Sequence, residues 1–228
     1  MNKIAIFSDI HSNIFALKEF IRVVQHEVDG IYCCGDILGY FPFQEEVVEI
    51  FKKHNIISIK GNHDKYITDE LVPREPNAML DKSIIYGKRV LTRKTRDYIR
   101  DLPDMLRFAV GKNEAVLCHG LFQDCETHIC ENDLSLYLNN ENLNNKIADY
   151  NFFGHTHIPF IKSKSGKTFI SAGSLGYPRA GEPNYLLFDV DNMSVKIMCL
   201  EYPKGKLRKE IELFDYDEGY KRMLLSKL

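Results

Sequence analysis

Short apolar runs alternate with helical patterns over the first 60 residues, and this alternation limits the fold more than any other feature. The runs KIAIF, GIYCC and IISIK have the length of buried strands. The stretches between them carry apolar residues at helical spacing. This order is typical of parallel strands joined by helical crossovers, so it predicts an α/β fold.

The elements that follow change in character along the chain. The first helix is expected to be capped by Ser12 or Asn13, and a longer helix is expected over about residues 77 to 100. Beyond residue 100, seven strand-like runs are separated by short turns such as GKNE and VDNM. We interpret this half as a largely antiparallel meander within a single domain that covers residues 1–228.

The composition is that of an ordinary soluble protein. Hydrophobic residues make up 44% of the chain and charged residues 27%, and the net charge of −2 gives no strong nucleic-acid signal. No apolar run approaches the roughly 20 residues that span a bilayer, and the first residues do not resemble a secretory signal. We expect a cytoplasmic protein without a membrane partner, while the oligomeric state is left open.

The six cysteines do not indicate a disulfide framework or a thiolate zinc site, because no C-x-x-C pair is present. One weaker possibility is left open. Cys125, His128 and Cys130 lie close enough in sequence to form a small cysteine–histidine metal site.

Five strand-like runs are each followed directly by residues with carboxylate, amide or imidazole side chains. Five of the eight histidines of the chain lie at these positions. In chain order the residues are Asp9, His11, Asp36, Asn62, His63, Asp64, His119, His155 and His157. Each one alone is readily explained as a turn, a helix cap or a hydrogen-bonded structural residue. Because ligand sites in open α/β sheets lie beyond the carboxyl ends of the strands, we expect these loops to meet at one edge of one sheet.

This mixture of side chains indicates a metal centre. Imidazole with carboxylate and amide oxygen suits zinc, manganese, iron or nickel better than magnesium or calcium. The ligands outnumber what one ion takes, so two ions that share a carboxylate are predicted, as in two-metal hydrolases. The order H-x-H-x-D-H of metallo-β-lactamases is disfavoured, because Pro159 and Phe160 stand where Asp and His would.

In this order the motifs D-x-H, GD, GNHD, HG and GHTH resemble those of the calcineurin-like metallophosphoesterase superfamily, in particular its small bacterial and archaeal members. The similarity runs from about residue 1 to residue 180. It implies a four-layer αββα sandwich, in which two mixed β-sheets are flanked by helices and the metal site lies at one end of the sheets.

The resemblance also implies a ligand set and an activity. Asp9, His11 and His157 would hold one divalent ion, Asn62, His119 and His155 would hold the other, and Asp36 would bridge them. The expected activity is hydrolysis of phosphomonoesters or phosphodiesters by a water or hydroxide that the two ions share. The substrate would be a phosphorylated small molecule or a nucleotide.

Further roles are suggested around this ligand set. His63 would donate a proton or stabilise the substrate phosphate, and Asp64 would either orient His63 or cap a helix. Arg179, together with Asn62 and His63, is a candidate substrate contact, although a loop arginine often meets only solvent. The pair of phenylalanines at positions 41 and 43 would either pack under the next helix or line the substrate mouth.

A different class of function is possible on the same fold. A non-catalytic metal-binding scaffold, like the phosphoesterase-like subunit of the retromer coat, can lose ligands or the catalytic histidine. Here every ligand and His63 remain, which favours an enzyme. No cap domain is recognisable, so a fairly open site is expected.

Overall fold

In the computed structural model, two five-stranded sheets pack face to face between layers of helices. The structure describes residues 2–143, 145–179 and 181–228. The strands are β1 (Lys3–Phe7), β2 (Gly30–Cys33), β3 (Ile57–Ser58), β4 (Met105–Val110), β5 (Asn113–Cys118), β6 (Tyr150–Phe153), β7 (Pro159–Lys164), β8 (Lys167–Ala172), β9 (Asn184–Asp189) and β10 (Ser194–Cys199). The α-helices are α1 (Ile14–Val24), α2 (Gln44–Lys53), α3 (Asn62–Ile67), α4 (Ala78–Val90), α5 (Arg93–Arg100), α6 (Leu134–Leu138), α7 (Lys204–Leu213) and α8 (Glu218–Leu225). None of the helices within the described ranges combines the length and apolar character needed to cross a membrane.

Both sheets are mixed. The first has the order β10-β9-β1-β2-β3, in which β1, β2 and β3 are parallel and β9 and β10 are antiparallel additions. The second has the order β4-β5-β6-β8-β7, with a parallel centre of β5, β6 and β8 and an antiparallel strand at each edge. The sequence-based expectation of two mixed sheets flanked by helices is therefore confirmed.

The strand β1 shows how the layers are built. Ile4 and Ile6 lie in the core between the two sheets, whereas Ala5 and Phe7 lie in the core under the helices. Successive side chains of a strand point to opposite faces, so a strand covered on both sides must be apolar at nearly every position. That requirement explains the uninterrupted run in KIAIF.

Two expectations about strand order are wrong. The second half is not largely antiparallel, because the three central strands of its sheet, β5, β6 and β8, run parallel. Its last two strands, β9 and β10, return to the first sheet and pair beside β1. Apolar alternation identifies a strand but does not state its direction or its neighbour, and both errors have this cause.

The long helix expected over about residues 77 to 100 is instead two helices, α4 and α5. The break lies at Thr92, whose hydroxyl caps α5 by accepting a hydrogen bond from the Thr95 backbone N–H at 3.2 Å. Glu45 of α2 fixes the break by accepting from the Thr92 backbone N–H at 2.7 Å and from its hydroxyl at 3.1 Å. The interruption therefore depends on a contact from a distant helix.

The helix that follows β1 begins as predicted at a side-chain cap. Asn13 Oδ1 accepts a hydrogen bond from the Ala16 backbone N–H at 3.1 Å. Asn13 Nδ2 donates to the carbonyl oxygen of Gly176 at 3.0 Å and to the Tyr202 hydroxyl at 3.1 Å. Ser12, the other candidate cap, instead donates its hydroxyl to Gln44 Oε1. Asn13 thus joins α1 to two distant segments as well as capping it.

Replacing Asn13 with Ala is expected to lower the free energy of unfolding of the metal-free protein by about 2 kcal/mol or more, since a cap and two buried hydrogen bonds are lost. Asn77→Ala is the matched control, because Asn77 caps α4 at an exposed position through two backbone N–H groups. The Asn77→Ala substitution should lower the free energy of unfolding by about 1 kcal/mol. Urea denaturation followed by circular dichroism measures both, and equal losses would contradict the role given to Asn13.

Candidate metal centre

The predicted ligands come from both sheets rather than from one. Asp9, Asp36 and Asn62 follow β1, β2 and β3 of the first sheet, while His119 and His155 follow β5 and β6 of the second. The expectation that these loops meet at one edge of a single sheet is therefore wrong. The parallel centres of the two packed sheets direct their carboxyl ends to the same end of the sandwich, where the loops meet.

Four of the predicted ligands form a compact buried group. One donor atom each from Asp9, His11, Asp36 and His157 lies within 4.8 Å of the other three. The Nε2 atoms of His11 and His157 are 3.1 Å apart, and His157 Nε2 is also 3.1 Å from Asp9 Oδ1. His11 Nε2 is 3.6 Å from Asp36 Oδ2. These distances place two imidazole nitrogens and two carboxylate oxygens around one small volume.

The protons of these rings are directed away from that volume. His11 Nδ1 faces the Leu38 carbonyl oxygen at 3.3 Å, and His157 Nδ1 faces the carbonyl oxygen of Tyr177. A carbonyl oxygen can only accept, so in the neutral rings Nδ1 carries the proton and Nε2 presents a lone pair. Asp9 Oδ1 is buried and has no hydrogen-bond partner among the described residues. Four facing lone-pair donors repel one another, and a cation between them would remove that repulsion.

A second set of donors adjoins the first through Asp36. His119 Nδ1 faces the Cys34 carbonyl oxygen at 2.7 Å, which leaves the Nε2 lone pair of the neutral ring 2.8 Å from Asn62 Oδ1 and 3.4 Å from Asp36 Oδ2. The same Asp36 oxygen thus faces both His119 Nε2 and His11 Nε2. This position fits a carboxylate that bridges two ions.

His155 stands apart from the compact group. Its Nε2 atom faces the Glu126 carbonyl oxygen at 3.1 Å, and its ring stacks on His128 with centroids 4.2 Å apart. The centroid of the His119 ring is 5.2 Å away. Only Nδ1 of His155 is left to bind an ion. Of the predicted ligands, the ring of His155 is thus held by contacts outside the compact group.

Burial and charge act against each other on the titrating groups of the centre. Burial opposes ionisation of Asp9, but the facing His157 outweighs it and lowers the pKa of Asp9 to about 2. Burial also opposes protonation of His119, but the charges of Asp36 and Asp9 raise its pKa to about 9. Burial, with the charge of His119 added, lowers the pKa of His155 to about 3. An ion bound at His119 would have to displace a proton that Asp36 stabilises.

The backbone at the centre is strained. Five of the seven predicted ligands have a positive φ, where residues other than glycine are uncommon. The angles are 55° at Asp9, 47° at His11, 53° at Asp36, 65° at His155 and 58° at His157. Residues held in sparsely populated backbone regions cluster at functional sites, because the surrounding structure must support the strain. Gly61 adds a close approach, since a Cβ atom there would lie 2.1 Å from Asp36 Oδ1.

Asp64 supports the loop that carries Asp36. Its carboxylate accepts hydrogen bonds from the backbone N–H groups of Gly61 at 2.9 Å, Leu38 at 2.8 Å and Ile37 at 3.2 Å. Burial and the charge of Asp36 outweigh these bonds and raise the pKa of Asp64 to about 7. Of the two roles suggested for Asp64, the structure shows the helix-capping contact at Gly61. Within the described ranges the Nδ1 atom of His63 has no hydrogen-bond partner, so Asp64 does not hold that atom.

His63 and Arg179 line a cavity of about 540 Å³ above the centre. Five predicted residues at its floor are Asp36, Asn62, His63, His155 and His157. Phe41 does not reach the cavity because it is fully buried in the core, and Phe43 packs against Phe15 with ring centroids 5.7 Å apart. Both phenylalanines therefore have the packing role.

Other residues of the cavity carried no sequence signal strong enough to be recognised. Tyr40, Met79, Glu126, Tyr177 and Met223 contribute to its lining. Tyr40 lies in the loop after the GD motif and Tyr177 in the loop after β8, and their position in loops is the one signal of this kind that the sequence carries. The suggested site of Cys125, His128 and Cys130 does not form. Over the described ranges, only the group of Asp9, His11, Asp36 and His157 has three or more His, Cys, Asp or Glu donors within 4.8 Å.

Comparison with known proteins bears on the same residues. The model of the calcineurin-like phosphoesterase superfamily domain matches residues 2–193. The chain belongs to this superfamily. Its members are generally hydrolases that bind divalent metals, which agrees with the potential metal-binding group described above.

Individual relatives extend the likeness to the whole chain. An uncharacterized protein of Methanocaldococcus jannaschii is 28% identical over 91% of each chain. The crystal structure of a metallophosphoesterase from Sphaerobacter thermophilus is 25% identical, covers 100% of this chain and 99% of its own, and superposes with a TM-score of 0.80. That of a hypothetical protein from Pyrococcus horikoshii has the same fold, at 24% identity, 98% coverage of each chain and a TM-score of 0.86.

The two donor sets can be separated by metal analysis. Protein reconstituted with Mn²⁺ is expected to retain about two ions per chain, His119→Ala about one, and Asp36→Ala less than about one, because Asp36 faces both sets. His26→Ala is the control, since His26 is exposed and lies in the turn after α1. Elemental analysis after gel filtration measures the number of Mn²⁺ ions retained per chain. Full occupancy in Asp36→Ala would contradict the bridging position.

Proposed function

We propose that the chain is a phosphoester hydrolase that works with two divalent ions. The observation that supports this most is the single Asp36 oxygen that faces both His11 Nε2 and His119 Nε2 at 3.6 and 3.4 Å. Asp9, His11 and His157 would hold one ion with Asp36, and Asn62, His119 and His155 would hold the other. Manganese, iron, zinc or nickel suit this mixture of nitrogen and oxygen donors.

The protein residues would supply order and a low-dielectric environment. Bound divalent ions polarise a phosphoryl group and lower the pKa of water, so that hydrolysis proceeds at neutral pH. The backbone N–H of His155 donates to Asp9 Oδ2 at 3.0 Å, and that of His63 donates to Asp36 Oδ1 at 2.9 Å. These bonds engage one oxygen of each carboxylate and leave the other directed at the centre. Ligands held in this way need little rearrangement during the reaction.

His63 is placed to act on the substrate rather than on an ion. Its ring lines the cavity, and its centroid is 4.7 Å from that of His11. Its Nδ1 atom has no hydrogen-bond partner in the part of the chain that the structure describes. Burial lowers the pKa of His63, and the negative charge of a bound phosphate would act in the opposite direction by favouring the protonated ring. We assign it the donation of a proton to the departing oxygen or the stabilisation of the phosphate.

Arg179 and Asn62 complete the proposed phosphate contacts. Arg179 is exposed and lies at the lining of the cavity, and its charge contributes to lowering the pKa of His128. A guanidinium in this position can bind phosphate oxygens in a bidentate manner. The substrates proposed are phosphomonoesters or phosphodiesters of small molecules, including nucleotides.

The competing function is a metal-binding scaffold without activity, and one variant separates the two. His63→Ala is expected to keep its metal content while turnover of an alkyl phosphomonoester or phosphodiester falls about 10²- to 10⁴-fold, because the departing alkoxide loses its general acid. His26→Ala should match the wild type. Metal-loaded wild-type protein that hydrolyses no phosphomonoester, phosphodiester or nucleotide would favour the scaffold. Unchanged turnover in His63→Ala would remove the role given to His63.

Arg179→Ala should raise KM for a phosphoester about tenfold while kcat changes less, because a charged hydrogen bond to the substrate is lost without disturbing the ligands. Arg22→Ala is the control, since Arg22 pairs with Glu19 on an exposed face of α1. Steady-state kinetics measures both variants. A KM that does not change would place Arg179 in solvent.

A further inference from the structure

The cavity above the metal centre has a lining of two kinds. One part is apolar and aromatic and consists of Tyr40, Met79, Leu80, Tyr177 and Met223, which we call the apolar wall. The rest of the rim is polar and includes Glu75, Asn77, Thr127, His128 and Arg179. A site that bound only a small polar phosphoester would have no use for the apolar wall.

Two tyrosines connect the apolar wall to the proposed reacting groups. The rings of Tyr40 and Tyr177 are stacked, with centroids 4.3 Å apart and planes inclined by 24°. The Tyr40 centroid is 4.9 Å from that of His63 and 4.7 Å from that of His11. The aromatic surface therefore adjoins the ring of His63, the residue proposed to contact the substrate phosphate.

The C-terminal helix α8 fixes these tyrosines. The hydroxyl of Tyr220 in α8 and that of Tyr216 just before it donate to the Tyr40 carbonyl oxygen at 3.0 and 3.2 Å. The Tyr177 hydroxyl donates to Met223 Sδ of α8 at 2.8 Å. Tyr220 is completely buried, so this anchoring belongs to the core of the protein rather than to its surface.

The same helix is joined to α4, which carries Met79 and Leu80. Asp217, the cap of α8, accepts from Lys82 Nζ at 2.9 Å and from the Tyr86 hydroxyl at 3.2 Å. The Tyr86 ring also packs on that of Tyr216, with centroids 4.5 Å apart. The contacts between the two helices thus fix the positions of Met79 and Leu80 on α4 relative to Met223 on α8. Helix α8 lies beyond residue 193, where the match to the superfamily domain ends.

We propose that the apolar wall binds the nucleobase of a nucleotide whose phosphate lies at the metal centre. This assignment rests on the proposed function, because the phosphate position is that of the proposed reaction. A nucleobase is flat and has apolar faces, which suit stacked aromatic rings and methionine thioethers. The polar rim offers donors and acceptors for ribose hydroxyls and base edges. The cavity volume of about 540 Å³ is within the usual range for small-molecule sites.

A sugar phosphate fits this lining less well. Its hydroxyls would lie against Met79, Leu80 and Met223 without partners, and apolar surface would remain in contact with water. The presence or absence of the base is therefore the variable that a test must isolate.

The test is direct binding of two matched ligands to the full-length protein loaded with Mn²⁺. The ligands are the 5′-methylenephosphonate analogues of adenosine and of ribose, in which a P–C bond replaces the ester and prevents hydrolysis. By isothermal titration calorimetry, the adenosine compound should bind about tenfold or more tightly, the value expected for one stacked base. Equal affinities in the wild type would overturn the proposal without any variant.

Variants then test whether the preference for the adenosine compound depends on the apolar wall. In the double variant Met79→Ala and Met223→Ala, the preference for the adenosine compound should fall about fivefold or more, because its affinity falls further than that of the ribose compound. Met198→Ala is the control, because Met198 lies in β10, is partly buried against the core and does not line the cavity. An unchanged preference in the double variant would also overturn the proposal.

The test separates this inference from the proposed function. If the adenosine compound is preferred and the preference depends on the apolar wall, but no phosphoester is hydrolysed, the nucleobase site stands and the hydrolase does not. If phosphoesters are hydrolysed but the two analogues bind equally, the hydrolase stands and the nucleobase site does not.

Discussion

At the end of the sandwich that carries the candidate site, four donor atoms direct their lone pairs at one another, and the surrounding structure has to hold them there. Asp9, His11, Asp36 and His157 place four donor atoms within 4.8 Å of one another, with the histidine protons directed outward to backbone carbonyl oxygens. Such an arrangement is unfavourable in a buried site unless positive charge compensates it. Much of the surrounding structure keeps these groups in place, including the Asp64 contacts, the absent side chain at Gly61 and the backbone bonds to the carboxylates.

The residues of this centre could be predicted because strand ends are visible in a sequence. An apolar run marks a buried strand, and the polar residues after it lie at its carboxyl end. Asp9, Asp36 and His119 are predicted in this way to lie beyond strand ends, and they follow β1, β2 and β5 in the structure. The same pattern could not assign the loops to two sheets, because a strand's direction and its neighbour depend on contacts between distant parts of the chain. The break at Thr92 was missed for the same reason, since Glu45 of another helix fixes it.

The substrate side of the site was much less predictable. Tyr40, Met79 and Met223 are ordinary apolar residues in the sequence, and they become neighbours only when α4 and α8 pack together. Neither C-terminal helix was anticipated. Metal ligands follow a chemical rule that is local in sequence, whereas the shape of a cavity is a property of tertiary packing. The superfamily motifs therefore describe the proposed chemistry better than they describe its specificity.

The left-handed backbone at five of the predicted ligands also has a consequence for evolution. A change to glycine at Asp9 or His157 would relieve backbone strain and delete a ligand at the same time, so stability and metal binding would move in opposite directions. Selection for stability alone would then favour the replacement of these ligand residues by glycine. The Asp and His residues at these positions therefore lower backbone stability, and only what their side chains bind can offset that loss.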